Sequence, residues 1–174
     1  MKKISTYDLA LSALACALAV LFQVIGVYSE ILLFSGYLLS AVALMLPLAR
    51  KSYKGYVLAY LGACFLSLIF ASARFWDVIP FIMFFGLHPL VNELQLRTKV
   101  NTWVACFAKA LWFDATMYLM WKFLIDTTTV NPLIDQYIIP IILVVGTAFF
   151  IFYDYTMYRA RMIVINLARR FLKK

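Results

Sequence analysis

The sequence predicts an all-α protein that crosses a membrane with six helices. Hydrophobic residues make up 66% of the 174 residues and charged residues only 14%, against roughly 45–50% and about 25% in soluble domains. The apolar residues also lie in long continuous runs, whereas the strands of a transmembrane β-barrel alternate in polarity. These two observations exclude a soluble globular domain and a disordered chain.

The six predicted spans follow from the lengths of the apolar runs. A bilayer core about 30 Å thick takes roughly 20 apolar residues to cross as a helix. Six runs reach or approach this length, at residues 8–27, 31–49, 55–73, 77–95, 102–124 and 136–158. Most connections are short, so consecutive helices are expected to pack as antiparallel neighbours in one domain, 1–174. The longest connection, residues 125–136, is rich in Thr, Asn and Pro and predicts a loop.

The basic residues predict an orientation with both termini in the cytoplasm, because cytoplasmic loops carry an excess of Lys and Arg. In that orientation only Arg74 and Lys122 lie on the outer side, and Lys109 lies within a span. The inner side holds Lys2, Lys3, Arg50, Lys51, Lys54, Arg97, Lys99, Arg159, Arg161, Arg169, Arg170, Lys173 and Lys174. Topology therefore explains the net charge of +8, and no nucleic-acid partner is expected.

The first span carries small residues four apart, Ala13 with Ala17 and Ala15 with Ala19. Small residues at this spacing let another helix approach closely in a membrane. They indicate either packing within the bundle or a docking face for a separate membrane subunit.

The fourth span contains a polar pair beside a predicted helix kink. Asn92 lies one turn after His88 and on the same face. Pro89 removes a helical hydrogen bond, which predicts a kink, and Gly86 allows close approach to it. His88 and Asn92 are therefore candidates for solute recognition. The alternative is a histidine whose ring is satisfied by a neighbouring helix.

The fifth span holds two ionisable side chains, and such groups are costly inside a bilayer. Lys109 and Asp114 are offset by about 140° around the helix, so each needs a partner elsewhere or a ligand. Lys109 is long enough to reach the inner surface, but Asp114 is not, which makes Asp114 the best single candidate. Trp112, with Tyr118 and Trp121, is a candidate for stacking on a flat ligand or for an interface position.

Two further charged positions lie near span ends. Arg74, with Trp76 and Asp77, is placed to meet an incoming anionic group or to anchor the helix at the interface. Asp154 is expected to pair locally with Arg159.

Catalytic and metal-binding patterns are absent from the sequence. The single His excludes a two-histidine metal set from this chain, and no H-E-x-x-H, G-x-S-x-G or nucleotide-binding glycine loop occurs. We expect no enzymatic activity, no cofactor and no metal. An intramembrane enzyme built on His88 and Asp114 as a proton-transfer pair is the least supported alternative.

The combination of six helices, inner termini, basic inner loops and the alanine spacing at Ala13, Ala15, Ala17 and Ala19 resembles the substrate-binding S component of energy-coupling factor (ECF) vitamin transporters. The resemblance implies that the alanines dock onto a transmembrane coupling subunit shared with two cytoplasmic ATPases. It also implies a multi-pass protein of the bacterial plasma membrane that binds a vitamin-like solute near its outer face. The resemblance assigns no ligand residue.

The alternative function is a scaffold subunit of a cell-envelope assembly, resembling the rod-shape protein MreD. Such a scaffold would use the same polar residues to fix helix contacts and would hold no ligand.

Overall fold

The computed structural model describes residues 5–98, 100–125 and 132–171. Within these ranges the chain is helical throughout and contains no β-strand, which confirms the all-α prediction. The seven α-helices of the described ranges are α1 (Thr6–Tyr28), α2 (Leu33–Ala49), α3 (Tyr53–Phe70), α4 (His88–Thr98), α5 (Thr102–Met120), α6 (Pro132–Ile141) and α7 (Thr147–Phe171). Short 3-10 or π-helical segments join or extend several of them.

Several of these helices are long and apolar enough to cross a membrane. Three continuous stretches qualify, Thr6–Tyr28, Tyr53–Phe70 and Gln136–Ala168. A fourth qualifies if Ser72–Val78 and Phe81–Thr98, which are bent by 45°, form one broken span. Helix α2 is apolar but has only 17 residues, and α5 contains two ionisable residues that lower its mean hydropathy. By length and composition these helices are compatible with a membrane protein, and the six-span topology stays a prediction.

The described chain divides into two compact units. The first, called here the N-terminal unit, contains the described residues up to Leu94 together with those from Met157 onward. The second, the central unit, is Gln95–Thr156.

In the N-terminal unit, α1 packs against both α2 and α3. Helices α1 and α2 approach most closely where Gly26 faces Gly36, since a Cβ on Gly26 would lie 2.9 Å from the Cα of Gly36. Nearby, Ser40 Oγ donates a hydrogen bond to the carbonyl of Ala19 over 2.8 Å. At the other end of the pair, Arg50 Nε lies 2.9 Å from Asp8 Oδ1. Helices α1 and α2 are therefore joined by close backbone packing at the two glycines, by a hydrogen bond nearby and by an ion pair at the other end.

The fourth predicted span is broken before α4 begins. A π-helical turn, Phe81–Phe85, is followed by the short turn of Gly86 and Leu87. The sequence predicted the kink at Pro89, but Pro89 is the second residue of α4. There its missing N–H costs little, because the first N–H groups of a helix have no intrahelical acceptor.

Tyrosine hydroxyls from α2 and α3 hold the broken segment. Tyr37 Oη donates to the carbonyl of Asp77 over 2.5 Å, and Tyr60 Oη to that of Ile82 over 2.6 Å. The buried hydroxyl of Tyr56 donates to the carbonyl of Gly86. Carbonyls at a helix break need partners wherever water is excluded, and these side chains supply them.

Changing Tyr56 to Phe removes the donor and leaves the Gly86 carbonyl buried. We expect the free energy of unfolding in detergent to fall by about 1–3 kcal/mol, the cost of a buried group left without its hydrogen bond. The matched control is Tyr28→Phe, since Tyr28 makes the same kind of bond to the Phe70 carbonyl in an exposed position. Equal losses in the two variants would show that the broken segment does not depend on Tyr56.

The last predicted span and the loop before it differ from the sequence prediction. Helix α6 begins at Pro132, inside the segment predicted as a loop, and residues 126–131 of that loop lie outside the described residues. Proline suits the first position of a helix because its φ is already helical. The span predicted to end at 158 is part of a helix that continues to Phe171.

Candidate functional site

Arg74 is held by its own segment. Its Nε lies 2.9 Å from Asp77 Oδ2, and the Asp77 carbonyl accepts the hydroxyl of Tyr37. Arg74 interrupts the 3-10 helix Ser72–Val78 with φ of −133° and ψ of 37°. These contacts fix the turn that precedes the broken helix.

His88 and Asn92 contact each other, as their one-turn spacing predicts. Asn92 Nδ2 lies 3.5 Å from His88 Nδ1, and the fully buried His88 ring lies 5.2 Å from the ring of Phe84. The cavity beside Asn92, which Glu93 and Arg161 also line, measures about 10 Å³. It has room for about one water molecule rather than for a vitamin.

Lys109 is paired with Asp154. Its Nζ lies 2.7 Å and 2.9 Å from the two carboxylate oxygens of Asp154. The Lys109 side chain is 6% exposed and that of Asp154 is 22% exposed. Asp154 thus has a partner on another helix, and its local pair with Arg159 stays a prediction. Of the two predicted roles of Lys109, its contact with Asp154 favours pairing with another side chain over binding a ligand.

Asp114 is buried, and among the described residues only one of its two carboxylate oxygens has a hydrogen-bond partner. Asp114 is 6% exposed, and its Oδ2 accepts a hydrogen bond from Thr147 Oγ1 over 2.9 Å. Its Oδ1 has no hydrogen-bond partner in the part of the chain that the structure describes. A Cβ on Gly146 would lie 3.0 Å from Oδ1, so a glycine at this position leaves the oxygen its space. Lys109 and Asp114 thus have different partners, as their offset on α5 predicts.

Asp114 lines a partly open groove of about 320 Å³ in the central unit. The π-helical turn Ile142–Gly146 forms part of the opposite wall, and π-helical turns are frequent at functional sites. Tyr118 is the aromatic residue that lines the groove, and Trp112 is not among the lining residues. The complete lining is Leu111, Asp114, Ala115, Tyr118, Ile139, Ile142 and Leu143. We take this groove as the candidate functional site and call it the Asp114 groove.

The four alanines of the first span face in two directions. Ala15 and Ala19 are fully buried in the N-terminal unit, which agrees with packing inside the bundle. Ala13 and Ala17 are exposed. Only this second pair is placed to contact another subunit.

Sequence reasoning missed the residues that give Asp114 its surroundings. Thr147 and Gly146 lie 33 and 32 positions beyond Asp114 along the chain, and nothing in one sequence pairs them with it. Sequence reasoning also passed over Gln23, which is 1% exposed and whose two amide atoms have no hydrogen-bond partner among the described residues. An amide in the middle of an apolar span was the available signal.

Comparison with known protein families, curated proteins and solved structures found no match to this chain. Among the described residues there is also no group of three or more His, Cys, Asp or Glu side chains placed to hold a metal ion.

Proposed function

We propose that the protein is a membrane-embedded subunit that binds a small solute for uptake, in the manner of the ECF S components it resembles. The observation that carries the proposal is the buried Oδ1 of Asp114, which has no hydrogen-bond partner among the described residues and belongs to a side chain that lines a groove. An ionisable group inside a membrane segment is expensive and marks a functional position by default. Asp114 satisfies one oxygen within the protein and leaves the other for a bound molecule.

The size and lining of the groove support solute binding. Sites for small molecules measure roughly 300–1,000 Å³ and combine apolar walls with a few polar groups that fix orientation. The Asp114 groove, at about 320 Å³, lies at the lower end of that range. Its single carboxylate among apolar side chains has the composition of such a site.

The proposed uptake role also includes a membrane topology and partner subunits. Six spans with both termini in the cytoplasm of a bacterium would bring the basic residues to the inner leaflet. The protein itself would carry out no reaction and, like the S components, would depend on cytoplasmic ATPases for energy. A transmembrane coupling subunit would dock on the first helix, where the exposed Ala13 and Ala17 permit close approach.

Mass spectrometry of protein purified from native membranes tests the solute-binding role. We expect a small molecule to co-purify with the wild type and to be reduced at least about tenfold in Asp114→Asn, which removes a charged hydrogen-bond acceptor. Asp77→Asn is the matched control, because it makes the same change in a side chain outside the groove, and it should retain the molecule. Equal solute in all three proteins would reject Asp114 as the site.

A scaffold of the MreD type remains the second candidate function, since several predicted site residues contact other side chains. Arg74 contacts Asp77, His88 contacts Asn92, and Lys109 contacts Asp154. A scaffold would co-purify with cell-envelope proteins and carry no solute, whereas an uptake subunit would co-purify with ATPases. The same purification therefore separates the two functions.

A further inference from the structure

We propose that the solute held in the Asp114 groove is an apolar molecule bearing one ammonium or similar cationic hydrogen-bond donor. This inference rests on the proposed function and adds the chemical class of the solute. It follows from the charge and the walls of the groove.

The charge of Asp114 restricts the chemical group that a solute can present to it. A carboxylate oxygen only accepts hydrogen bonds, so the group that meets Asp114 Oδ1 must be a donor. A cationic donor makes a hydrogen bond to a carboxylate roughly twice as strong as a neutral pair. Among the described residues of the central unit the buried cation is Lys109, and its Nζ already has both oxygens of Asp154 within hydrogen-bond distance. The charge complement of Asp114 is therefore left to the bound molecule.

The other side chains that line the groove restrict the body of the solute. Apart from Asp114 and Tyr118, the side chains that line the groove are aliphatic. They favour an apolar body, and a second negative charge beside Asp114 is disfavoured by repulsion. A volume of about 320 Å³ suits a compact aryl or alkyl group attached to the cationic end.

A metal cation fits this site poorly. Calcium and magnesium take at least six oxygen ligands, and the groove offers the carboxylate of Asp114 and little else. Among the described residues no cluster of three metal-ligating side chains occurs. The cation expected here is organic.

The test uses three probes with the same phenyl-alkyl body and different ends: phenethylammonium, 2-phenylethanol and 3-phenylpropionate. Their affinities for the detergent-purified full chain are measured at neutral pH by isothermal titration calorimetry. We expect the ammonium to bind roughly tenfold or more tightly than the alcohol, and the carboxylate to bind most weakly. In Asp114→Asn the affinity for the ammonium should fall roughly 10- to 100-fold, while the alcohol changes by less than about threefold.

The outcomes separate the solute class from the proposed function. Equal binding of alcohol and ammonium, or a co-purified solute without a cationic group, would overturn the inference and leave solute binding standing. Binding of none of the probes, with no co-purified solute, would overturn both. Asp77→Asn should reproduce the wild-type order of affinities. If Asp114→Asn does not fold, the order of the three probes in the wild type decides.

Discussion

Replacing Lys109 with Met is expected to lower the free energy of unfolding in detergent by about 3 kcal/mol, because it takes the ammonium group away from the largely buried carboxylate of Asp154. The lysine is the more buried partner, at 6% exposure against 22% for Asp154. The effect should therefore lie at the lower end of the range for a broken buried pair. Chemical unfolding followed by circular dichroism measures it.

The double variant Lys109→Met with Asp154→Leu is the control for this prediction. The double variant removes the carboxylate together with the ammonium group, and apolar replacement of a buried ion pair is often neutral or stabilising. We expect the double variant to recover most of the stability lost in the single one. If the double variant is as unstable as the single variant, loss of the ion pair with Asp154 is not the reason why Lys109→Met lowers the free energy of unfolding.

Gly36→Val is expected to cost about 3 kcal/mol or to prevent folding, at the upper end of the overpacking range. A Cβ on Gly36 would lie 2.8 Å from both the Gly26 Cα and the Phe22 carbonyl oxygen. Both obstacles are backbone atoms, so α1 and α2 would have to separate. Thermal unfolding in detergent measures the loss.

Gly62→Val is the matched control for the glycine crossing. A Cβ on Gly62 meets one atom within 4 Å, the sulfur of Cys16 at 3.0 Å. That atom belongs to a side chain, which can move by rotation about χ1, and not to the backbone. The change should cost no more than about 1 kcal/mol, as is usual for a substitution in a tolerant position. Similar losses at the two glycines would contradict the close crossing of α1 and α2.

The sequence predicted best those structural features that depend on residues within a single helix. The apolar runs predicted the helices well, because the length of a run and its freedom from charge are local properties. The break before α4 was misplaced, because its π-helical turn is held by hydroxyls of Tyr56 and Tyr60 from a different helix. The helix from Pro132 was missed because the preceding Thr and Asn residues, together with Pro132 itself, have the composition of a loop.

The same distinction applies to the candidate site. Asp114 was predicted from the sequence because a short ionised side chain in an apolar span cannot reach the membrane surface. Its partner Thr147 and the partner of Lys109, Asp154, lie on a distant part of the chain. Which distant residues meet is set by tertiary packing, and a single sequence holds no local signal for it. Arg74 and His88 were also ranked as ligand candidates, although each contacts a side chain three or four positions further along its own segment. Local spacing alone does not show whether a neighbouring side chain or a ligand is the partner.

The central claim is that a solute occupies the groove against Asp114, and filling the groove tests it most directly. Ala115→Trp places a large side chain in the lining while leaving the carboxylate untouched. Ala108→Trp is the matched control, on the same helix, at an exposed alanine outside the groove. The solute bound to each purified, folded protein is measured by mass spectrometry. The account predicts that Ala115→Trp loses the solute and that Ala108→Trp retains it, whereas full occupancy in Ala115→Trp would contradict it.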